Sequence, residues 1–231
     1  MKTSIKLLLG LLLLIVGGLF YVKYELKQEY KTLDMNDPFI GFERISGLDF
    51  SHINIVGGNR SHLYIEPAST NNLLIEKGGL EAITYEIKND TLQIVYSESY
   101  TQDPSSNTNY WGTRERCSVI IQYNSVKSIV AHDASIGMEL DTPHAFKTRL
   151  YGMSNLELFT NLALLKELSI ESHDNSKHRI NSRDGIDKLA YLNIALTDQS
   201  LAELHRISVD SSNIQLDSSS RISADAHFFK N

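Results

Sequence analysis

A short repeated unit in the second half of the chain constrains the fold more than any other feature of the sequence. Each copy places an aspartate and a serine two positions apart, and in the later copies an apolar residue returns four positions after the serine, at Ile180, Leu204 and Leu216. Three copies, Ile129–Ser135, Ile170–Ser176 and Ile194–Ser200, share Ile, Asp and Ser at the same offsets. Fixed-period self-similarity predicts a solenoid, because no single unit can bury its apolar face alone.

Alternating apolar residues extend this β-character to most of the chain. From residue 39 the period of hydrophobicity is two, and Gly-Gly or Asn-Asp pairs separate the runs, which is typical of strands and turns. We therefore predict an all-β protein, a parallel β-helix (β-solenoid) over residues 39–231. Within it we expect N-terminal strands at 39–98, a polar loop at 99–116 and repeat coils at 117–231. The sequence leaves open whether residues 39–98 share the solenoid or form a separate cap.

The N-terminal segment differs from the rest of the chain. Residues 7–22 form an apolar run between Lys6 and Lys23, about 24 Å long as a helix at roughly 1.5 Å per residue. Two interpretations stay open, an uncleaved single-pass membrane anchor and a cleavable signal peptide. We predict an anchor or signal with a short helical stalk at residues 1–33. Either one places the folded domain outside the cytoplasm, in the periplasm or at the cell exterior, and an anchor would sit in the inner membrane.

Charge and cysteine content exclude several classes of protein. The net charge is −6, and residues 1–36 carry five lysines against three acidic residues, so the remainder carries −8. An acidic domain argues against nucleic acid as a partner, since binding to nucleic acid is dominated by phosphate neutralisation. Cys117 is the only cysteine, which rules out an intramolecular disulfide, and its apolar neighbours predict a small buried residue.

The chain resembles a family of Bacteroidetes envelope proteins described as auto-transporter adhesins with a head GIN domain. The resemblance rests on Phe42–Ile45, Val56–Gly58, Leu73–Glu76, Tyr85–Ile94 and the entry into the repeats at Val119–Ile129. It covers roughly residues 39–231, and its motifs are structural rather than catalytic. It implies a secreted or membrane-attached parallel β-helix and implies no activity. The chain departs from the family in having Asp-x-Ser where many members have glycine-rich turns.

Two constellations of polar residues invite a chemical interpretation. His132-Asp133…Ser135 and its copy His173-Asp174…Ser176 contain the residue types of acyl transfer. Residues adjacent in a strand point to opposite faces, however, and Asp and Ser commonly satisfy the backbone of turns, so we predict a structural role. The eight histidines lack metal-ligand spacing, and we predict neither a metal nor a cofactor.

A row of aspartates supports an enzymatic alternative. Asp133, Asp174, Asp198 and Asp210 recur with the repeat and would align along one corner. Such a row would suit a carbohydrate-active enzyme, a polysaccharide lyase or hydrolase, built on a β-helix. A row of like charges at solvated turns is the simpler interpretation, and we predict no catalytic residues.

The aromatic residues of the polar loop are the candidate contact site. Tyr100, Tyr110 and Trp111, the only tryptophan, lie in or next to a long polar segment that interrupts the strand pattern. We predict an adhesin-like binding or scaffold module that is attached to the membrane through residues 7–22 and recognises a glycan or an envelope protein. The alternatives are the carbohydrate-active enzyme and an accessory or sensor subunit of an envelope complex.

Overall fold

The computed structural model describes residues 2–32, 37–58, 63–97, 117–141, 145–160, 165–182 and 187–225. The chain divides into two compact units, residues 1–41 and residues 42–231. The loop aromatics Tyr100, Tyr110 and Trp111 lie outside the described residues.

The first unit consists mainly of the helix α1, Lys2–Thr32. One continuous helix includes both the apolar run and the charged residues that follow it. Long apolar side chains along this helix are exposed, with Leu14 at 75% and Phe20 at 69%. Within the described residues, no helix combines the length and apolarity that a membrane span requires.

The second unit contains seventeen strands and one short 3₁₀ helix, Leu80–Ala82. The strands are β1 (Phe42–Ser46), β2 (His52–Val56), β3 (Leu63–Pro67), β4 (Asn72–Glu76), β5 (Ile83–Lys88), β6 (Thr91–Tyr96), β7 (Val119–Tyr123), β8 (Ser128–His132), β9 (Ser135–Leu140), β10 (Ala145–Tyr151), β11 (Asn155–Thr160), β12 (Glu167–Ser172), β13 (Lys177–Ser182), β14 (Asp187–Leu196), β15 (Leu201–His205), β16 (Ile207–Leu216) and β17 (Arg221–Ala224).

These strands form two sheets that enclose one apolar core. The nine-stranded sheet has the order β1-β4-β7-β3-β9-β11-β13-β15-β17, and the eight-stranded sheet has the order β16-β14-β12-β10-β8-β2-β6-β5. From β8 onward the chain alternates between the sheets, and each strand pairs in parallel with its equivalent in the next coil. The predicted β-solenoid is confirmed, and it makes about four turns.

Residues 39–98 both join the stack and close one end of it. β2 lies between β6 and β8, and β3 lies between β7 and β9, all in parallel register. β1, β4 and β5 instead pair antiparallel with their neighbours. The β5–β6 hairpin turns at Asn89 and Asp90, both with positive φ (50° and 62°), as the predicted tight turn requires.

The repeated aspartates and serines form the corners of the coils. Asp133, Asp174 and Asp198 have φ of 51°, 56° and 57°, the left-handed conformation that tolerates aspartate, and Gly152 (φ 64°) occupies the same position in the coil between the first two. The corner serines are buried, and Ser154 and Ser176 bond to the backbone. Ser154 Oγ donates to Tyr151 O at 2.6 Å and accepts from Ala134 N at 3.2 Å, and Ser176 Oγ accepts from His173 N at 3.1 Å. Ser200 Oγ and Ser220 Oγ have no hydrogen-bond partner among the described residues. The predicted turn role of these residues is confirmed.

Asp210 does not belong to this row. It lies within β16, where its carboxylate pairs with Lys188 Nζ at 2.8 Å. The aspartate of the last corner is Asp217, which accepts hydrogen bonds from the backbone N–H groups of Ser219 and Ser220. The Asp-x-Ser pattern at residues 210–212 was misleading because alternating polar residues on an exposed strand reproduce the spacing of a corner.

Candidate functional site on the nine-stranded sheet

The predicted His-Asp-Ser constellations do not assemble a nucleophile and a base. His132 and His173 stack on the two faces of Tyr151, with ring centroids 4.6 Å and 4.9 Å apart. His173 Nδ1 bonds to Thr197 Oγ1 at 2.9 Å, whereas Ser176 Oγ accepts from the backbone N–H of His173 at 3.1 Å. The row of histidines and the corner serines therefore stabilise the stack of coils.

Two other expectations concern metals and the cysteine. In the part of the chain that the structure describes, no group of three or more His, Cys, Asp or Glu side chains could hold a metal ion. Cys117 is buried and reduced, 5% exposed, as the sequence predicted. Neither feature identifies a site.

The outward face of β11, β13 and β15 carries the most distinctive polar cluster. Parallel register aligns Glu157, Arg179 and Glu203 in one row, with Lys177 beside Arg179. Lys177 Nζ donates to Glu203 Oε1 at 2.7 Å, and Arg179 Nε donates to Glu203 Oε2 at 2.8 Å. Partial burial of Glu203 is outweighed by these two hydrogen bonds and the positive charges behind them, so its pKa is lowered.

The same arrangement occurs on the opposite sheet. There Lys147 and Arg149, also two residues apart in one strand, both pair with Glu171, at 2.9 Å and 2.5 Å. Burial of Glu171 is again outweighed by the hydrogen bonds from Lys147 and Arg149, and its pKa is lowered. A Lys-x-Arg pair on one coil with a glutamate on the next is therefore a structural element that the solenoid uses twice.

The cluster on the eight-stranded sheet has no residue equivalent to Glu157. The register places Val130 next to Arg149, where Glu157 lies next to Arg179. The Glu157 side chain is only 15% exposed, and its Oε1 accepts from Asn181 Nδ2 at 3.0 Å, while Arg179 Nη1 remains 3.8 Å away. Its Oε2 is buried with no hydrogen-bond partner among the described residues. Burial raises the pKa of Glu157 above its ordinary value, and the attraction of Arg179 and the Asn181 bond do not offset that effect.

A depression opens on each side of Glu157 and Arg179, and we call the two together the Glu157 cleft. The smaller depression, about 200 Å³, is lined by Asn155, Leu156, Glu157, Lys177 and Arg179. The larger one, about 590 Å³, is lined by Glu157, Phe159, Arg179, Asn181, Ser182, His205, Arg206 and Asp225. The neighbour of Glu157 on β9 is Gly137, which has no side chain that could pair with the carboxylate.

Sequence reasoning missed this cleft. The residues of its polar row come from three strands. Glu157 pairs with Arg179, 22 positions later, and Arg179 pairs with Glu203, 24 positions later. The one available signal was the recurrence of Lys-x-Arg at residues 147–149 and 177–179. That signal identifies the paired cluster but not Glu157.

Comparison with known proteins gives alignments with solved structures at low identity. No family model matches the chain, and no curated protein matches it. A candidate adhesin from Bacteroides fragilis aligns with a TM-score of 0.47 at 9% identity, covering 80% of this chain and 96% of that one. A candidate lipid-binding protein from Parabacteroides distasonis aligns with a TM-score of 0.43 at 11% identity over 79% and 93% of the two chains.

A candidate cell adhesion protein from Clostridium sporogenes has a TM-score of 0.29 at 13% identity, over 79% of this chain and 97% of that one. At such identities and TM-scores, these likenesses carry no conclusion about the activity of this chain. The resemblance to the head GIN family stays a prediction from the sequence.

Proposed function

We propose that the protein is an envelope-attached binding module that holds an extended carbohydrate chain in the Glu157 cleft. The observation that carries the proposal is the carboxylate of Glu157. This carboxylate is mostly buried, one of its oxygens has no hydrogen-bond partner among the described residues, and its pKa is raised. The equivalent cluster on the other sheet pairs Lys147 and Arg149 with Glu171 and contains no second glutamate. A buried, poorly compensated carboxylate costs stability, and residues that cost stability are expected at functional sites.

The chemistry of the cleft suits sugar hydroxyl groups. A hydroxyl donates one hydrogen bond and accepts others, so it can serve a carboxylate and a guanidinium or amide at once. The Glu157 carboxylate can accept a hydrogen bond from a sugar hydroxyl, and the Arg179 guanidinium and the Asn181 amide can donate hydrogen bonds to it. Phe159 lies partly exposed in the same cleft and offers an apolar ring face beside these polar groups. Rows of side chains repeat along the sheet at roughly 4.8 Å, the spacing of adjacent strands, which suits an extended ligand.

A specific observation favours a second candidate, a carbohydrate-active enzyme. The pKa of Glu157 is raised and that of Glu203 is lowered, the pattern of a general acid and a carboxylate base. The two residues lie two strands apart, roughly 10 Å, near the upper limit for inverting glycosidases. Against catalysis, both oxygens of Glu203 already accept hydrogen bonds from Lys177 and Arg179. We therefore favour binding without turnover.

The test measures binding and turnover in the same wells. The full chain in mild detergent is incubated with immobilised envelope and host polysaccharides, and bound protein and new sugar ends are both recorded. Binding without release supports the module, and release of sugar ends supports the enzyme. Asp174→Asn and Asp198→Asn are expected to leave both signals unchanged, since these residues form corners.

Two matched pairs of variants localise the site. Glu157→Gln is expected to weaken binding at least about tenfold while the folded state keeps or gains stability, because a buried charge is removed. Glu171→Gln, in the equivalent cluster, is expected to lose stability and keep binding. Phe159→Ala is expected to weaken binding, and Tyr191→Ala on the eight-stranded sheet is not. Equal effects within both pairs would contradict the proposal.

The envelope location and the loop contacts are parts of the proposal that rest on the sequence. The exposed apolar side chains of α1 support attachment through residues 7–22. Cell fractionation of the full chain and of a chain lacking residues 1–33 tests this, with loss of membrane association expected for the second. Trp111→Ala tests whether the loop aromatics add to binding. Exchange of residues 7–22 for another apolar helix abolishes function only if the protein is an accessory subunit.

A further inference from the structure

The end of the solenoid formed by β16 and β17 exposes residues that are core residues one coil earlier. Ile214 and Leu216 lie directly below Ile194 and Leu196 in the parallel register. Ile194 and Leu196 are 0% and 1% exposed, whereas Ile214 and Leu216 are 40% and 44% exposed. Among the described residues, no strand pairs with the outer edge of β16 or of β17. Unpaired edges and an uncovered core are features that solenoids normally cap.

A ladder of polar side chains also reaches this edge. Asn193 Nδ2 donates to Ser169 Oγ at 3.3 Å, and Asn213 Nδ2 donates to Asn193 Oδ1 at 2.9 Å. Each amide in such a ladder accepts from the next strand, so the carbonyl oxygen of Asn213 is oriented to accept from a further strand. The other end of the solenoid differs, because antiparallel β1, β4 and β5 close it.

We propose that a second copy of this chain covers this end, with β16 and β17 pairing antiparallel to their own copies around a two-fold axis. The occupant is inferred from the charges of Arg221 in β17 and of Asp225, which follows the strand and accepts a hydrogen bond from Arg206 N at 2.8 Å in its own chain. In an antiparallel pair centred on Ser223, Arg221 faces Asp225 of the second copy, and the inward-facing Ile222 faces Ala224. The strand is therefore complementary to itself in charge and in apolarity. Opposite charges directly across two strands stabilise the pair.

The same axis serves both sheets. Gln215 lies two residues before Asp217 and Ser223 lies three residues after Ser220, so the two positions are at similar distances from the corner that joins β16 to β17. Centring β16 at Gln215 places the inward Ile214 opposite Leu216 of the second copy. The inward Ile214 and Leu216 then lie against the corresponding end of the second copy. Arg221 makes no ion pair with any residue that the structure describes, so its charge is available to the second copy.

Because of the two-fold axis, one cysteine substitution is enough to test whether two copies pair along β17. Ser223→Cys places two thiols across one antiparallel pair, where Cβ atoms are roughly 5 Å apart, close to the separation of a disulfide. Native Cys117 is buried and does not interfere. We expect the full-length Ser223→Cys chain in mild detergent to form a disulfide-linked dimer under mild oxidation. Gln93→Cys, on β6 near the capped end, is the matched control and is expected to remain uncrosslinked.

Charge reversal supplies the second measurement. Arg221→Glu places like charges opposite each other twice per dimer and is expected to lower the crosslinked fraction and the dimerisation constant by about tenfold. Arg44→Glu, near the capped end, is expected to leave both unchanged. Light scattering then gives the mass of the wild type and of each variant.

Two results would overturn the proposal. The first is that the Arg221→Glu variant has the same mass in solution as the wild type and the Ser223→Cys variant does not crosslink. The other is crosslinking that appears only after removal of residues 226–231, which would identify the following segment of the same chain as the cover. Crosslinking at Gln93 instead of Ser223 would equally overturn it.

Discussion

A buried histidine sets the acid stability of the fold, and its surroundings determine the size of the effect. His178 lies on β13, points into the core and is 1% exposed. Its Nδ1 bonds to Ser172 Oγ at 2.6 Å, and its Nε2 contacts the hydroxyl of Thr148. Ser172 lies on β12 of the same coil, and Thr148 lies on β10 of the neighbouring coil. A neutral imidazole, with one donor and one acceptor, satisfies two hydroxyls, whereas an imidazolium would be a buried charge.

The magnitude follows from proton linkage. Burial lowers the pKa of His178 from 6.5 to about 3. Between these values the unfolded chain binds a proton that the folded chain does not, so this contribution is complete above pH 6.5 and is lost as the pH falls towards 3. The loss is about 1.4 kcal/mol per pH unit, or about 3 kcal/mol between pH 6.5 and 4.5. Glu171 and Glu203, whose pKa values are lowered, stabilise the fold above the ordinary glutamate range, and their stabilisation is lost as the pH falls below that range.

Urea denaturation of the full chain between pH 4.5 and 7.5 measures this slope. His178→Gln keeps a donor and an acceptor but cannot titrate, so we expect lower stability at pH 7 and a slope reduced by about 1.4 kcal/mol per pH unit. His132→Gln, in the half-buried stack with Tyr151, is the control for replacing a histidine outside the core. Equal slopes for His178→Gln and the wild type would refute the assignment of acid sensitivity to this buried histidine.

Two further predictions concern the corners and the end of the stack. Gly152→Ala would place a Cβ 2.3 Å from Asp133 Oδ1 at a φ of +64°, and we expect a loss of about 2–3 kcal/mol in chemical denaturation, partly relieved by Asp133→Gly. Ile194→Ala should cost roughly 3–4 kcal/mol, and Ile214→Ala, one coil further and 40% exposed, about half as much. Equal costs for the two isoleucines would show that the last coil is as well buried as the one before it.

The repeat made the solenoid predictable from the sequence because its corners require particular residues. A left-handed turn favours Asp or Gly, and a small, buried serine follows it in the corner, so both recur from coil to coil. Apolar alternation likewise identified most strands. The apolar alternation is weaker in β10 and β13, because the core accepts Thr148 and His178 at inward positions.

The order of the coils and the site depend on contacts that sequence spacing does not encode. β2 and β3 insert between strands that come later in the chain, and only tertiary packing selects that order. Glu157 is similarly inconspicuous in the sequence, since its properties come from Gly137 on one side and Arg179 on the other. The loop aromatics at residues 100–111 remain a prediction.

The most direct test of the binding account is hydroxyl-radical footprinting of the full chain with and without the polysaccharide that it binds. Phe159 lies in the Glu157 cleft, and Tyr191, 38% exposed, lies on the opposite sheet as an internal reference. The account predicts that ligand lowers the oxidation rate of Phe159 severalfold and leaves that of Tyr191 unchanged. Protection of Tyr191, or of neither residue at saturating ligand, would contradict a binding site on the nine-stranded sheet.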